Sequence, residues 1–267
     1  MHPLTLHNIY KQSLAFEKIK SVHPHFSHCC INNFSRSPID YMVIVVILII
    51  AFVAFKILHA PDSQATKVVL KQKTRSEEQK KVIRYFLNDS GCLYDHRMKD
   101  EEYDAMVANY INQDHRSKAL SRIGLDEDEL KEIEPICFHG YDFSRAYARK
   151  GSDGLWRSSS YQISWLFFSA NQLYLYQDTI NFDCDEKRTS TEELFYKDVT
   201  SFSATTETEE VIDGFNADGT EKHANVESNK FKIVVPGDKF FAAMQLTPEN
   251  ERAIQGMKNK LREKKNA

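Results

Sequence analysis

The sequence predicts an α+β protein: an apolar transmembrane helix, a short helical stalk, then an antiparallel bent β-barrel closed by a C-terminal helix. Three patterns carry this. An unbroken apolar run fills residues 41–55, helical periodicity follows over 76–133, and apolar residues alternate with polar ones from residue 135 onward. Of the 267 residues, 42% are hydrophobic and 27% charged, an ordinary globular balance that excludes collagen-like and low-complexity chains. A net charge of −3 argues against a basic nucleic-acid binder, and five cysteines do not make a dense disulfide framework.

Residues 1–40 hold five of the ten histidines and the piece His23-Pro24-His25-Phe26-Ser27-His28-Cys29-Cys30. Imidazole and thiolate suit zinc or copper. No periodic frame surrounds them, so the segment reads as a disordered tail without a metal. A second reading makes Met42 the true start, so that the chain opens on its anchor.

The apolar run is YMVIVVILIIAFVAF, extended past Lys56 by Ile57 and Leu58 and bounded by Asp40 and Pro61. Residues 41–58 would make ~27 Å of helix, close to a ~30 Å hydrocarbon core. A cleaved signal peptide is the rival, with Ser63-Gln64-Ala65 as its cleavage candidate. The window 21–40 carries Arg36 alone, whereas 57–76 carries Lys67, Lys71, Lys73 and Arg75. That asymmetry puts the C-terminal part in the cytosol, a single-pass arrangement at the cell membrane.

Residues 59–75 read as a basic linker and 76–133 as the stalk. Ser76-Glu77-Glu78-Gln79 is a capping-box pattern, and Val82, Ile83, Phe86 and Leu87 follow it. Asn88-Asp89-Ser90-Gly91 ends that helix. Tyr103, Met106, Val107, Tyr110 and Ile111 form one face of a second helix over 100–112. Ala119, Leu120 and Ile123 mark a third, stopped by Gly124, and Asp126-Glu127-Asp128-Glu129 caps a fourth holding Leu130 and Ile133. These faces must bury themselves in a small cluster or against the domain that follows.

The β-region spans 134–246. Residues 135–142 form a first strand. Tyr161, Ile163, Trp165 and Phe167 share one face of the next, whose other face turns apolar only at Leu166 and Phe168. Ser169-Ala170-Asn171 turns into Leu173 to Phe182, and Asp183 to Arg188 make a polar tip. Residues 192–203 supply one or two strands. Asp218-Gly219 marks a hairpin, and Phe231, Ile233 and Val235 alternate with lysines before Pro236-Gly237 turns into Phe240-Phe241. Thr247-Pro248 opens the last helix, with Ile254, Met257 and Leu261 on one face. About six strands can be placed.

WLFFSANQLYLYQ (165–177), FYKDVTSFS (195–203), FKIVVPGDKFF (231–241) and the closing helix resemble the bacterial pleckstrin-homology-like domains. The resemblance covers residues 135–265. The whole soluble region is similar to a group of bacterial single-pass membrane proteins, which names an arrangement and not an activity. The resemblance implies an anionic lipid headgroup site on the loop between the first two strands, where Arg149, Lys150 and Arg157 stand with Trp156. Charge opposes it: residues 135–246 hold 11 Lys plus Arg and 17 Asp plus Glu, net −6. No GxSxG, Walker, HExxH or GxGxxG motif is present. Cys137 with His139 is a thin nucleophile-and-base candidate, and Asp183 with Asp185 a thin cation site. The expectation is therefore no enzyme, no cofactor and no nucleic acid. The chain reads as a membrane-held module for protein interaction or self-association, with headgroup binding through 149–157 as the alternative.

Overall fold

A computed structural model of the chain describes residues 38–58, 64–72, 74–87, 98–126, 130, 134–216 and 218–266. The histidine-rich segment, the stop at 88–91, the cap at 127–129 and the Met42 start all rest on residues wholly or partly outside that set. The chain divides into two units, Met1–Ala54 and Phe55–Ala267.

In the first unit helix α1 begins at Pro38 and ends at Leu58. Its side chains from Tyr41 to Phe55 are exposed all round. The expected transmembrane span is corrected here: among the described residues no helix is long and apolar enough to cross a membrane. Asp40 and Lys56 bound the unbroken apolar run to residues 41–55, about 22 Å of helix at 1.5 Å per residue, short of a ~30 Å hydrocarbon core.

The second unit carries five helices among the described residues: α2 (Gln64–Gln72), α3 (Glu77–Leu87), α4 (Asp100–Ile111), α5 (His115–Ile123) and α6 (Pro248–Asn266). The stretch read as a basic linker thus forms α2, with Val69 buried. The capping box forms as its residues dictate. The Ser76 N–H donates to Gln79 Oε1 at 2.8 Å and the Gln79 N–H to Ser76 Oγ at 3.2 Å. Gly124 ends α5 at φ 79°, a left-handed position that glycine takes without strain.

Nine strands are described: β1 (Ile136–Asp142), β2 (Ala148–Lys150), β3 (Trp156–Ser158), β4 (Ser160–Phe168), β5 (Gln172–Asn181), β6 (Lys187–Phe195), β7 (Ser201–Phe215), β8 (Glu221–Val235) and β9 (Asp238–Ala243). They form an antiparallel sheet β1-β4-β5-β6, a hairpin β2-β3 and a second antiparallel sheet β7-β8-β9. This corrects the second part of the expected fold: the strands make separate sheets and not a closed barrel. The reason lies where β9 passes β1 and β4. The backbone comes close enough that a Cβ on Gly140 would meet Met244 N at 3.0 Å. Yet side-chain amides stand where ladder bonds would form. Gln162 Oε1 accepts the Ala243 N–H at 2.7 Å, and Gln177 Nε2 donates to the Phe241 carbonyl at 2.8 Å.

The four-stranded sheet is covered on both faces. Leu166, Phe168, Leu173 and Leu175 meet Phe202, Phe231 and Ile233 of the second sheet and Ile254, Met257 and Leu261 of α6. On the other face Tyr161 and Ile163 pack with Val82, Ile83 and Phe86 of α3 and Tyr103, Val107 and Tyr110 of α4. Phe167, Tyr174 and Tyr176 pack with Ala119 and Leu120 of α5. The helices expected as a stalk therefore lie on the sheet, the outcome their apolar faces require. The tip at 182–184 is buried against them too. Arg75, itself buried, donates from Nε to the Asp183 carbonyl at 2.9 Å.

Candidate functional site

The four residues singled out for headgroup contact sit on the hairpin β2-β3, where Arg149 faces Arg157 and Lys150 faces Trp156 across the ladder. Arg157 is buried. Its Nε and Nη2 reach the two carboxylate oxygens of Asp104 at 2.8 and 2.7 Å, and Nη2 reaches Asp153 at 2.8 Å. That guanidinium, with the Leu155 N–H, holds the Asp153 carboxyl down to about 2. Arg149 donates to the Tyr85 carbonyl and lies 5.2 Å over its ring. Trp156 is half-buried beside Phe143, Ala148, Val211 and Val226. Lys150 is exposed. Asp100 at the start of α4 completes the fastening, accepting the Ser152 N–H at 2.8 Å and the Tyr85 hydroxyl at 2.8 Å. The structure thus brings the four residues together but turns both arginines inward, toward α3 and α4.

The other sequence candidates are also tied down. Cys137 is mostly buried, and burial pushes its thiol up to about 12, which disfavours the thiolate a nucleophile needs. His139 Nδ1 lies 2.7 Å from the Tyr161 hydroxyl, and burial lowers its pKa. Asp183 contacts Arg75, and Asp185 accepts from Gln79 Nε2 at 2.6 Å. Among the described residues no group of three His, Cys, Asp or Glu side chains is placed to hold a metal.

Two surfaces that sequence reasoning missed are open. One is a polar cleft of about 350 Å³ over the part of β4 and β5 that carries Gln162, Gln177 and Thr179, with Arg188, Lys230 and Lys239 at its rim. Its cations are largely balanced. Lys230 contacts Glu209 at 3.0 Å and Glu207 at 3.3 Å, and Arg188 contacts Asp142 at 3.3 Å.

The other is a groove of about 1070 Å³ between β7 and α6, lined by Ser203, Ala204, Ile254, Gly256 and Lys258. β7 is an edge strand. The orientation of its backbone follows from the ladder. The Asn229 carbonyl accepts the Met244 N–H, so Asn229 faces β9. Its partner Thr206 then directs its N–H and C=O away from β8, as do Phe202, Ala204, Thr208 and Glu210 at period two. Further along, Tyr147 bridges Ile212 on that same side. From 202 to 210, among the described residues, no backbone group covers the edge. The signal in the sequence was the Thr-Glu alternation of 205–210, a half-exposed strand pattern written in polar residues.

These features define an α+β module whose second sheet ends in an uncovered strand beside a helix. Comparison with protein-family models, with curated proteins and with solved structures finds no match to this chain.

Proposed function

We propose that this chain is a protein-interaction module held at a lipid phase. The uncovered edge of β7 carries the reading. A row of free N–H and C=O groups beside a helix is a surface that a partner strand completes, and native proteins otherwise cover or blunt such edges. The lipid part rests on α1. A helix exposed and apolar on every side finds no amphipathic seam to share with one protein neighbour, whereas lipid covers all of its faces. The geometry favours protein contact over anionic headgroups, because Arg149 and Arg157 are bound within the protein and Lys150 alone of the three cations faces solvent.

The test is purification of the full chain in mild detergent from its own host, read by mass spectrometry, together with flotation on vesicles containing phosphatidylserine. A stoichiometric partner should persist with Lys150→Glu and disappear with Thr206→Pro, which removes one outward N–H and leaves the β8 pairs intact. Recovery with lipid alone, and flotation abolished by Lys150→Glu, would sink the reading. Flotation should hold for the native chain and be lost with Ile47→Lys and Ile50→Lys together.

A further inference from the structure

We infer that the groove between β7 and α6 receives an extended segment of a second protein, with an apolar side chain over Gly256 and a carboxylate on Lys258. This rests on the interaction reading above and names where the contact falls and what chemistry it takes.

Four observations converge on the groove. Gly256 sits well inside the 19-residue helix α6, where glycine weakens a helix relative to alanine. A Cβ there would meet nothing within 4 Å, so no packing inside the described chain requires its absence. The open space lies on the groove wall. Ser203 Oγ, on the facing wall, is buried and has no hydrogen-bond partner. Lys258 is half-buried in the same groove. Its neighbours on the helix are paired, Arg252 with Glu249 and Lys260 with Glu263, and among the described residues no carboxylate pairs Lys258. Finally, Ala204, which lines the groove, directs its backbone N–H and C=O outward, and the same free edge continues from it to 210.

The occupant follows from those groups. Only an extended backbone can match a strand's alternating N–H and C=O row, since a helix keeps its own bonded internally. An unpaired, half-buried ammonium selects a carboxylate. A second copy of this chain is disfavoured, because pairing β7 with β7 crowds Glu207, Glu209 and Glu210 of both copies along one seam.

A random dodecapeptide library displayed on phage, selected against the full chain in mild detergent, tests this. Enriched peptides should place Asp or Glu beside an apolar residue, and their binding should slow amide exchange at 202–210. Gly256→Trp should abolish binding, and Lys258→Glu should weaken it about tenfold. Unchanged amide exchange in β8 would show that both variants fold. Peptides that bind Gly256→Trp and Lys258→Glu as well as the native chain but lose binding to Thr206→Pro would overturn the groove while leaving the interaction reading standing. No enriched peptide and no stoichiometric host partner would overturn both. A dimer that Thr206→Pro dissociates would overturn the assignment to a foreign segment.

Discussion

The two faces of the sheet β1-β4-β5-β6 are both buried, and they are held differently. Toward β7-β9 and α6 the core is apolar, with Phe231 fully buried and stacked between Phe138 at 4.8 Å and Phe202 at 5.7 Å, and the polar ties from Gln162 and Gln177 stand at its border beside β9. Toward α3, α4 and α5 the aromatic contacts are threaded with polar ties. On the adjoining hairpin Arg157 bonds Asp104 and the Ser158 carbonyl accepts the Tyr103 hydroxyl at 2.5 Å, and on the sheet itself Asp178 accepts Lys118 Nζ at 2.7 Å. Area alone fixes neither register nor orientation. A strand already has its register from the ladder, so the core it packs into can be apolar. A helix lying on a sheet has no ladder, and directional bonds pin it in place.

The comparison breaks most readily on the apolar side. Phe231→Ala should remove about 3–5 kcal/mol of stability, the range for an aromatic truncated in a packed core, measured by urea unfolding. On the helical side Arg157→Met keeps the stem and removes the fork. It should cost about 1–2 kcal/mol, since both partner carboxylates are partly solvated, and should speed amide exchange across 148–158.

Acid should loosen the helical face first. Burial raises the Asp178 pKa, but hydrogen bonds from His115, Lys118 and Thr189 outweigh it and hold the carboxyl well below its ordinary range. A depressed folded-state pKa contributes stability that is complete above the unfolded value of about 3.9 and is lost as pH falls below it. Below about pH 4, amides of α5 should therefore lose exchange protection before those of β8. The same order in Asp178→Asn would assign the effect elsewhere. The smallest effect has the opposite sign. Gly256→Ala should raise stability by roughly 0.5–1 kcal/mol, read as a higher melting temperature, because the groove beside α6 has room for the methyl group.

Local rules were legible where they act over a few residues. The capping box at Ser76, the stop at Gly124 and the cap at Thr247, whose Oγ1 accepts the Asn250 N–H at 3.2 Å, could all be read directly. So could the apolar end of one β4 face at Leu166 and Phe168, and the polar remainder of that face is the cleft around Gln162. The length of β7 and β8 was hidden, because Thr, Glu, Asn and Ser fill them where a strand usually shows β-branched apolar residues. The hairpin β2-β3 was hidden by its brevity. Of the proposed docking groove the sequence marked only its two flanks, since Ser203 and Gly256 lie fifty-three positions apart.

The sequence by itself determined α3, α4, α5 and α6 and the strands that alternate apolar with polar residues, which of their faces are apolar, and that α1 is apolar from Tyr41 to Phe55. These follow from spacing and side-chain chemistry within one or two turns. The tertiary structure alone decided that the helices lie on the sheet, that Arg157 is taken by Asp104 of α4, that the strands stay in separate sheets, and that β7 keeps a free edge beside Gly256. Each of those depends on which groups meet across many residues of chain. Directional bonds and excluded volume choose among surfaces that hydropathy alone leaves equivalent.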